Sequence, residues 1–169
     1  DISVSKSINL IPGEENLLPL YYDVSGHGTS VAGIIAAEDN DEGITGINPN
    51  VELYSAKVLD WNNEAPVSRV VEGIYWAISQ NVDIINMSFG MNQTSELLHK
   101  AIQDAYEKGI LLIAAAGNTG DKVQYPAAYS EVVAVGSVAS NGEITKDSAK
   151  GNQIEVVAPG DCVKSTAGF

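Results

Sequence analysis

The sequence predicts an α/β fold, a mostly parallel sheet covered on both faces by helices in a three-layer α/β/α arrangement. Three observations predict it. Strand-like and helix-like patterns alternate along the chain. The strand-like runs, such as "VDIINMS" and "ILLIAAA", are apolar on both faces, which suits parallel strands covered from both sides. The length, 169 residues, fits one domain, with no repeat, low-complexity tract or linker.

The elements follow in order. "GTSVAGIIAA", Gly28 to Ala37, reads as a short helix of small residues. Val51 to Leu59 reads as a buried strand. From Val67 to Gln80, the apolar residues Val67, Val70, Val71, Ile74 and Ile78 recur at helical intervals. Val82 to Ser88 is a strand. The stretch "TSELLHKAIQDAYEKG" is an amphipathic helix, with Thr94 or Ser95 as N-cap and Gly109 as C-cap. Strands follow at Ile110–Ala116, Glu131–Ala139 and Ile154–Gly160. Ligands of such sheets sit at the carboxyl ends of the strands. Those ends are "LDWNNEAP", "NMSFGMN", "AAAGNTGD" and "VAPGD", and Gly and Pro mark them as loops.

Composition bounds the function. The chain carries 22 acidic side chains against 9 basic ones, a formal charge of −13. That balance argues against a nucleic-acid partner, which needs a basic face, and serves solubility. At 44% hydrophobic residues, the chain can bury a core. Its single cysteine, Cys162, has no internal disulfide partner. No apolar run approaches the roughly 20 residues that span a bilayer. The opening "DISVSKSINL" is not a signal peptide and lacks an initiating Met, so the chain is expected to be a processed or excised piece.

Two residues of "SGHGTSVAG", Ser25 to Gly33, suggest nucleophilic hydrolysis. His27 and Ser30 stand three apart, on one face of a helix. Such a pair by itself lacks an acid to orient the imidazole and a donor for the oxyanion. The other reading is that His27 opens the helix and its flanking glycines allow close approach. His99 shows the bland case, a histidine in an ordinary amphipathic helix. A nucleotide-binding α/β domain is disfavoured: "GNTGD" is too short and lacks the Lys of a P-loop, and no Gly-x-Gly-x-x-Gly occurs.

"SGHGTSVAGIIAA" resembles the histidine motif of the subtilisin-like serine peptidases (subtilases). "AAAGNTG" resembles their segment with the oxyanion asparagine, and "INMSFG" the strand that lines their cleft. "NVELYSAKVLD", "EGIYWAI", "YPAAYSEVVAVGSV" and "VVAPG" match the family's order, so the resemblance covers nearly the whole chain. It implies a subtilisin-like fold and acyl transfer by a Ser-His-Asp triad. His27 is then the general base, for which an imidazole of pKa near 6.5 suits. Asn118 donates to the oxyanion, and Ser30 is not the nucleophile. Ser88, Phe89 and Gly90 line the substrate cleft with Ala115, Ala116 and Gly117. Their backbone can pair with an extended peptide, and their small residues imply a primary pocket for a large apolar or aromatic side chain. The second wall is Asn63, Glu64 and Ala65, where the family commonly has glycines. This departure leaves the subsite preference open, and Glu64 would disfavour acidic substrates.

The loop "EDNDEGI" matches the family's calcium loop, with Glu38, Asn40, Glu42 and Ile44 as ligand positions through the Asn40 side chain and backbone carbonyls. Calcium takes six to eight oxygens. A solvated acidic turn is the other reading, and no cofactor is required for the chemistry. The family's catalytic Asp follows an apolar strand and precedes Ser/Thr-Gly, a pattern this sequence lacks. Asp23 matches a loop position, and Ser165 lies in a strand.

The chain is therefore expected to be a partial catalytic domain over residues 1–169, incomplete at both ends, whose Asp and Ser lie outside it. Alone it is expected to be inactive and to self-associate through exposed apolar faces. Its parent is expected to cleave peptide or protein substrates, as a secreted or cell-surface bacterial enzyme. The alternative is a peptide-binding pseudopeptidase that keeps the cleft without the chemistry.

Overall fold

A computed structural model describes residues 1–14 and 23–167. The elements are β1 (Lys6–Asn9), α1 (His27–Ala36), β2 (Tyr54–Lys57), α2 (Val67–Ser79), β3 (Ile84–Met87), α3 (Glu96–Glu107), β4 (Leu111–Ala115), β5 (Val133–Val138) and β6 (Ile154–Pro159). Every strand pair is parallel. The strands form two parallel ladders among the described residues, β1-β2 and β3-β4-β5-β6. Among the described residues, no strand pairs with the second edge of β2 or of β3.

The described residues cluster into two compact units. The first holds residues up to Gly73 and those from Lys164 onward; the second runs from Ile74 to Val163. In the first, β1 pairs with β2 from Lys6↔Tyr54 to Asn9↔Lys57. The sequence reading assigned no strand to "SVSKSINL", although Val4, Ile8 and Leu10 keep the two-residue period of a half-buried strand. Lys6 interrupts that period and is exposed, with its ammonium 5.1 Å from the centre of the Tyr54 ring, a cation–π contact. Lys57 pairs with Glu14 at 2.5 Å. Helix α2 buries Val70, Val71 and Ile74 of the expected stripe and also Ala77, while Val67 and Ile78 at its two ends are half-buried. Its Gly73 lies against Val58 so closely that a Cβ would come within 2.6 Å of the valine methyl.

In the second unit, the register runs Ile84↔Leu111 to Met87↔Ala114 between β3 and β4. It continues from Ile113↔Val133 to β5. Helix α3 buries Leu98, Ala101, Ile102 and Ala105. Met87, Leu112 and Val132 are likewise almost wholly buried. The Ser95 hydroxyl caps α3 by accepting from Leu98 N at 3.3 Å, as the sequence led us to expect, and Gly109 turns the chain away at φ 79°. The Tyr129 hydroxyl accepts from Ser95 N at 3.1 Å and donates to Ser95 O at 3.0 Å. His99 stacks on the Tyr129 ring at 4.2 Å and reaches the Glu131 carboxylate at 3.3 Å, so this histidine helps fasten α3 to the loop before β5. Among the described residues, no helix is long and apolar enough to cross a membrane.

Candidate active site

His27 is the first residue of α1 and is half-buried. The turn that presents it is organised by one carboxylate. Asp23 Oδ1 accepts from Ser25 Oγ at 2.9 Å and from Gly26 N at 3.0 Å. Its Oδ2 accepts from Thr29 N at 2.8 Å and from Thr29 Oγ1 at 3.0 Å. Burial alone would push this carboxyl up. The donors from Thr29, Ser25 and Gly26 outweigh it and hold the pKa below the ordinary value. The negative charge also suits the positive end of the helix. Asp23 thus caps α1 from three residues before its cap position, Gly26.

The C-terminal segment braces the same turn from another direction. Thr166 Oγ1 donates to Thr29 O at 2.7 Å, and Ser165 Oγ donates to Ser30 O. Ser30 Oγ in turn donates to Thr166 O at 3.1 Å. Gly33 makes this contact feasible, because a Cβ there would overlap both the Thr166 and the Ser165 hydroxyls. The hydroxyls of Ser30 and Ser165 are thus engaged in fastening α1 to the C-terminal segment, and Ser165 lies in irregular backbone beyond β6, not in the strand expected for it.

Two further predicted clusters lie in the same unit. Asn63 and Glu64 are exposed and Ala65 is half-buried. Asn63 and Glu64 lie in a tight turn in which Asp60 Oδ1 accepts from Asn62 N at 2.9 Å and from Glu64 N at 3.0 Å. In the acidic loop, Asn40 and Glu42 are exposed, while Glu38 and Ile44 are half-buried. Asn40 Oδ1 accepts from Glu42 N at 3.2 Å, and Asn40 Nδ2 donates to Asp1 Oδ2 at 3.4 Å. Asp1 also anchors the loop through its carbonyl, which accepts from Glu38 N at 3.0 Å. Among the described residues, no group of three or more His, Cys, Asp or Glu side chains could hold a metal ion. The loop carries oxygen donors of the type a hard cation takes, but Asn40 Oδ1 already accepts from Glu42 N, and it is Asn40 Nδ2 that faces the Asp1 carboxylate. Sequence reading did not include Asp1, which lies 39 positions from Asn40.

The remaining predicted residues belong to the second unit. Ser88, Phe89 and Gly90 follow the end of β3; Ala116, Gly117 and Asn118 follow β4, whose last residue is Ala115. Since β3 and β4 are parallel neighbours with Met87 beside Ala114, both segments leave the sheet at the same end. Ala116 is pinned from two sides: its N–H donates to Val135 O and its carbonyl accepts from Gln124 N, both at 2.9 Å. Gly117 has φ 114°, a conformation that side chains rarely adopt, and its carbonyl accepts from Ala149 N at 2.9 Å. Asn118 comes next and is exposed. Ser88 Oγ accepts from Asn86 Nδ2 at 2.9 Å.

A third strand-like segment closes this end. Met91 and Tyr125 exchange backbone hydrogen bonds at 2.8 and 2.9 Å, and the Tyr125–Pro126 bond is cis. Gln124 Nε2 donates to Asn92 Oδ1 at 2.8 Å. Sequence reading passed over Gln124, because nothing in a lone glutamine before "YPAAY" signals the two glycines it meets.

Parallel strands alternate with helices along the chain. The profile of the Subtilase family matches residues 3–168, so this chain belongs to the subtilase family, with its three-layer α/β/α fold class. It is similar to the Thermostable alkaline protease of Halalkalibacterium halodurans, 46% identical over 98% of this chain and 45% of that protein. It is also similar to the Minor extracellular protease Epr of Bacillus subtilis, 45% identical over 86% of this chain and 23% of that protein. Subtilisin DY of Bacillus licheniformis is 42% identical over 98% of this chain and 61% of its own length. The chain thus spans between 23% and 61% of the length of these three relatives.

Proposed function

We propose that the whole protein is a serine endopeptidase of the subtilisin type, acting on peptide or protein substrates. The observation that carries this is that His27 and Asn118 are both intact in a chain 46% identical to a named protease. In this reading a serine attacks the scissile carbonyl and His27 takes its proton, later returning it to the leaving amine. Asn118 donates an amide N–H to the oxyanion without adding charge. The nucleophile and the orienting acid are assigned to none of the 169 residues. Asp23 has its carboxylate engaged at the helix start, and the Ser30 and Ser165 hydroxyls donate to carbonyls. This chain alone accordingly turns over no peptide. Export from a bacterial cell follows the same reading, since one relative is named an extracellular protease.

The test is a chromogenic peptide assay with a fluorophosphonate label. The whole protein hydrolyses the peptide and takes the label; the 169-residue chain does neither. Asn118→Ala in the whole protein lowers kcat by about 100- to 1,000-fold, a magnitude carried over from a subtilisin. Inhibitor-sensitive turnover by the short chain would sink its proposed inactivity. A whole protein that binds peptide but is neither active nor labelled would favour the non-catalytic reading.

The acidic loop is proposed as a structural calcium site, held by Asn40 Oδ1, by carbonyls at Glu38, Glu42 and Ile44, and by Asp1. Calcium in excess then raises the thermal midpoint in calorimetry, and Asn40→Ala removes the rise. An unchanged midpoint in wild type leaves a solvated turn.

A further inference from the structure

The small residues at the ends of β3 and β4 suggest an open pocket, but the space they leave is taken by Gln124. A Cβ built on Gly90 would lie 2.6 Å from Gln124 Oε1 and 3.1 Å from its Cδ. One built on Gly117 would lie 2.5 Å from the same Oε1 and 2.8 Å from Cγ. One side chain therefore packs against both glycines, and its oxygen is the nearest atom to each. Real Cβ atoms essentially never approach so closely, so a side chain at either position would require the Gln124 amide to move.

The amide is also oriented. Its Nε2 donates to Asn92 Oδ1 at 2.8 Å, which leaves Oε1 as the end that faces the glycines. The backbone beneath is fixed by Gln124 N to Ala116 O at 2.9 Å and by the Met91–Tyr125 pair. Gln124 is half-buried and Gly90 is exposed, so the amide is within reach from solvent. A hydrogen-bond acceptor held among backbone atoms favours a ligand that supplies a donor, because an apolar group there strips water from it without replacement.

We propose that Gln124 is the specificity-determining residue of this cleft. It fills the gap between Gly90 and Gly117 and restricts the residue on the acyl side of the scissile bond to small side chains, above all those with a hydroxyl donor. This rests on the peptidase reading above and refines it by naming the substrate class. It departs from the expectation of a large apolar or aromatic preference, which considered the glycines and alanines without their neighbour.

The test uses the whole protein and peptides that differ only at that residue: Ala, Ser, Phe or Tyr. Two readouts are taken: kcat/KM on the p-nitroanilides and Kd for the matching peptide acids. Wild type favours Ser and Ala over Phe and Tyr in both. Gln124→Ala shifts the Phe-to-Ala ratio upward by about tenfold or more, the scale on which pocket volume discriminates. Gln124→Leu keeps the bulk and loses the amide: Phe stays excluded while the advantage of Ser over Ala disappears. The two variants together separate a filled pocket from a folding defect, which would lower every substrate alike. A wild type that prefers Phe, or a Phe-to-Ala ratio within twofold of wild type in Gln124→Ala, overturns the proposal. A protein without turnover whose Kd values follow the predicted order would sink the peptidase reading and leave this one standing. If no peptide acid binds and none is cleaved, both fall.

Discussion

Helices α1 and α3 are nearly the same length but are held in place by different physics. Helix α3 buries Leu98, Ala101, Ile102 and Ala105, and α3 carries charge on its other side at Lys100, Asp104 and Glu107. Helix α1 buries only Gly33 and Ala36. It is fixed instead by polar contacts at its first turn, from Asp23 on one side and from Ser165 and Thr166 on the other. Apolar burial is non-directional and tolerates small shifts. Hydrogen bonds to the backbone fix position and direction. A helix that carries a general base at its first residue benefits from the second kind of fastening, whereas a helix that covers a sheet needs only the first.

The largest effect expected from breaking this contrast lies in α3. Leu98 is 1% exposed, and Leu98→Ala removes its burial and leaves a cavity. The expected loss is about 2–5 kcal/mol, read as a lowered urea midpoint of the chain. A loss under about 1 kcal/mol would mean that α3 is not held by its apolar face. The exposed pair Lys100–Asp104 on the same helix offers no comparable handle, since surface ion pairs contribute little.

The same contrast explains what the sequence revealed. Helix α3 was legible down to its cap, because Ser95 and the spacing of Leu98, Ala101, Ile102 and Ala105 are local signals. The strand cores of β3 to β6 were legible as apolar runs, with ends displaced by a residue or two. Strand β1 was not, because Lys6 breaks its alternation and its stability comes from a partner some 48 positions away, as in Lys6↔Tyr54. The two ladders were also hidden, since pairing is not a property of any one run. Of the candidate site, His27 and Asn118 were marked by motif. Their surroundings were not: Thr166 meets Thr29 across 137 positions, and Gln124 meets Gly90 and Gly117 only through the fold. Position in sequence names chemistry-bearing residues; only packing names those that support or narrow them.

A smaller effect is expected in α1, and its signature is pH. Asp23 accepts four hydrogen bonds. Burial raises its pKa, but those donors lower it further, so the folded value lies below the 3.8 of a free carboxyl. A group depressed on folding stabilises the native state above its unfolded pKa, and that stabilisation is lost as pH falls through the folded value. Asp23→Asn keeps the size but replaces one acceptor oxygen with a donor and removes the charge. At pH 7 it is expected to cost about 1 kcal/mol, the usual scale of a lost helix cap. The difference from wild type should persist down to about pH 5 and shrink below pH 3.8. Urea denaturation of both proteins across that range measures it. A difference that stays constant to pH 2 would assign the effect to shape alone. One that grows on acidification would reverse the sign and remove Asp23 as the charged cap of the helix that carries His27.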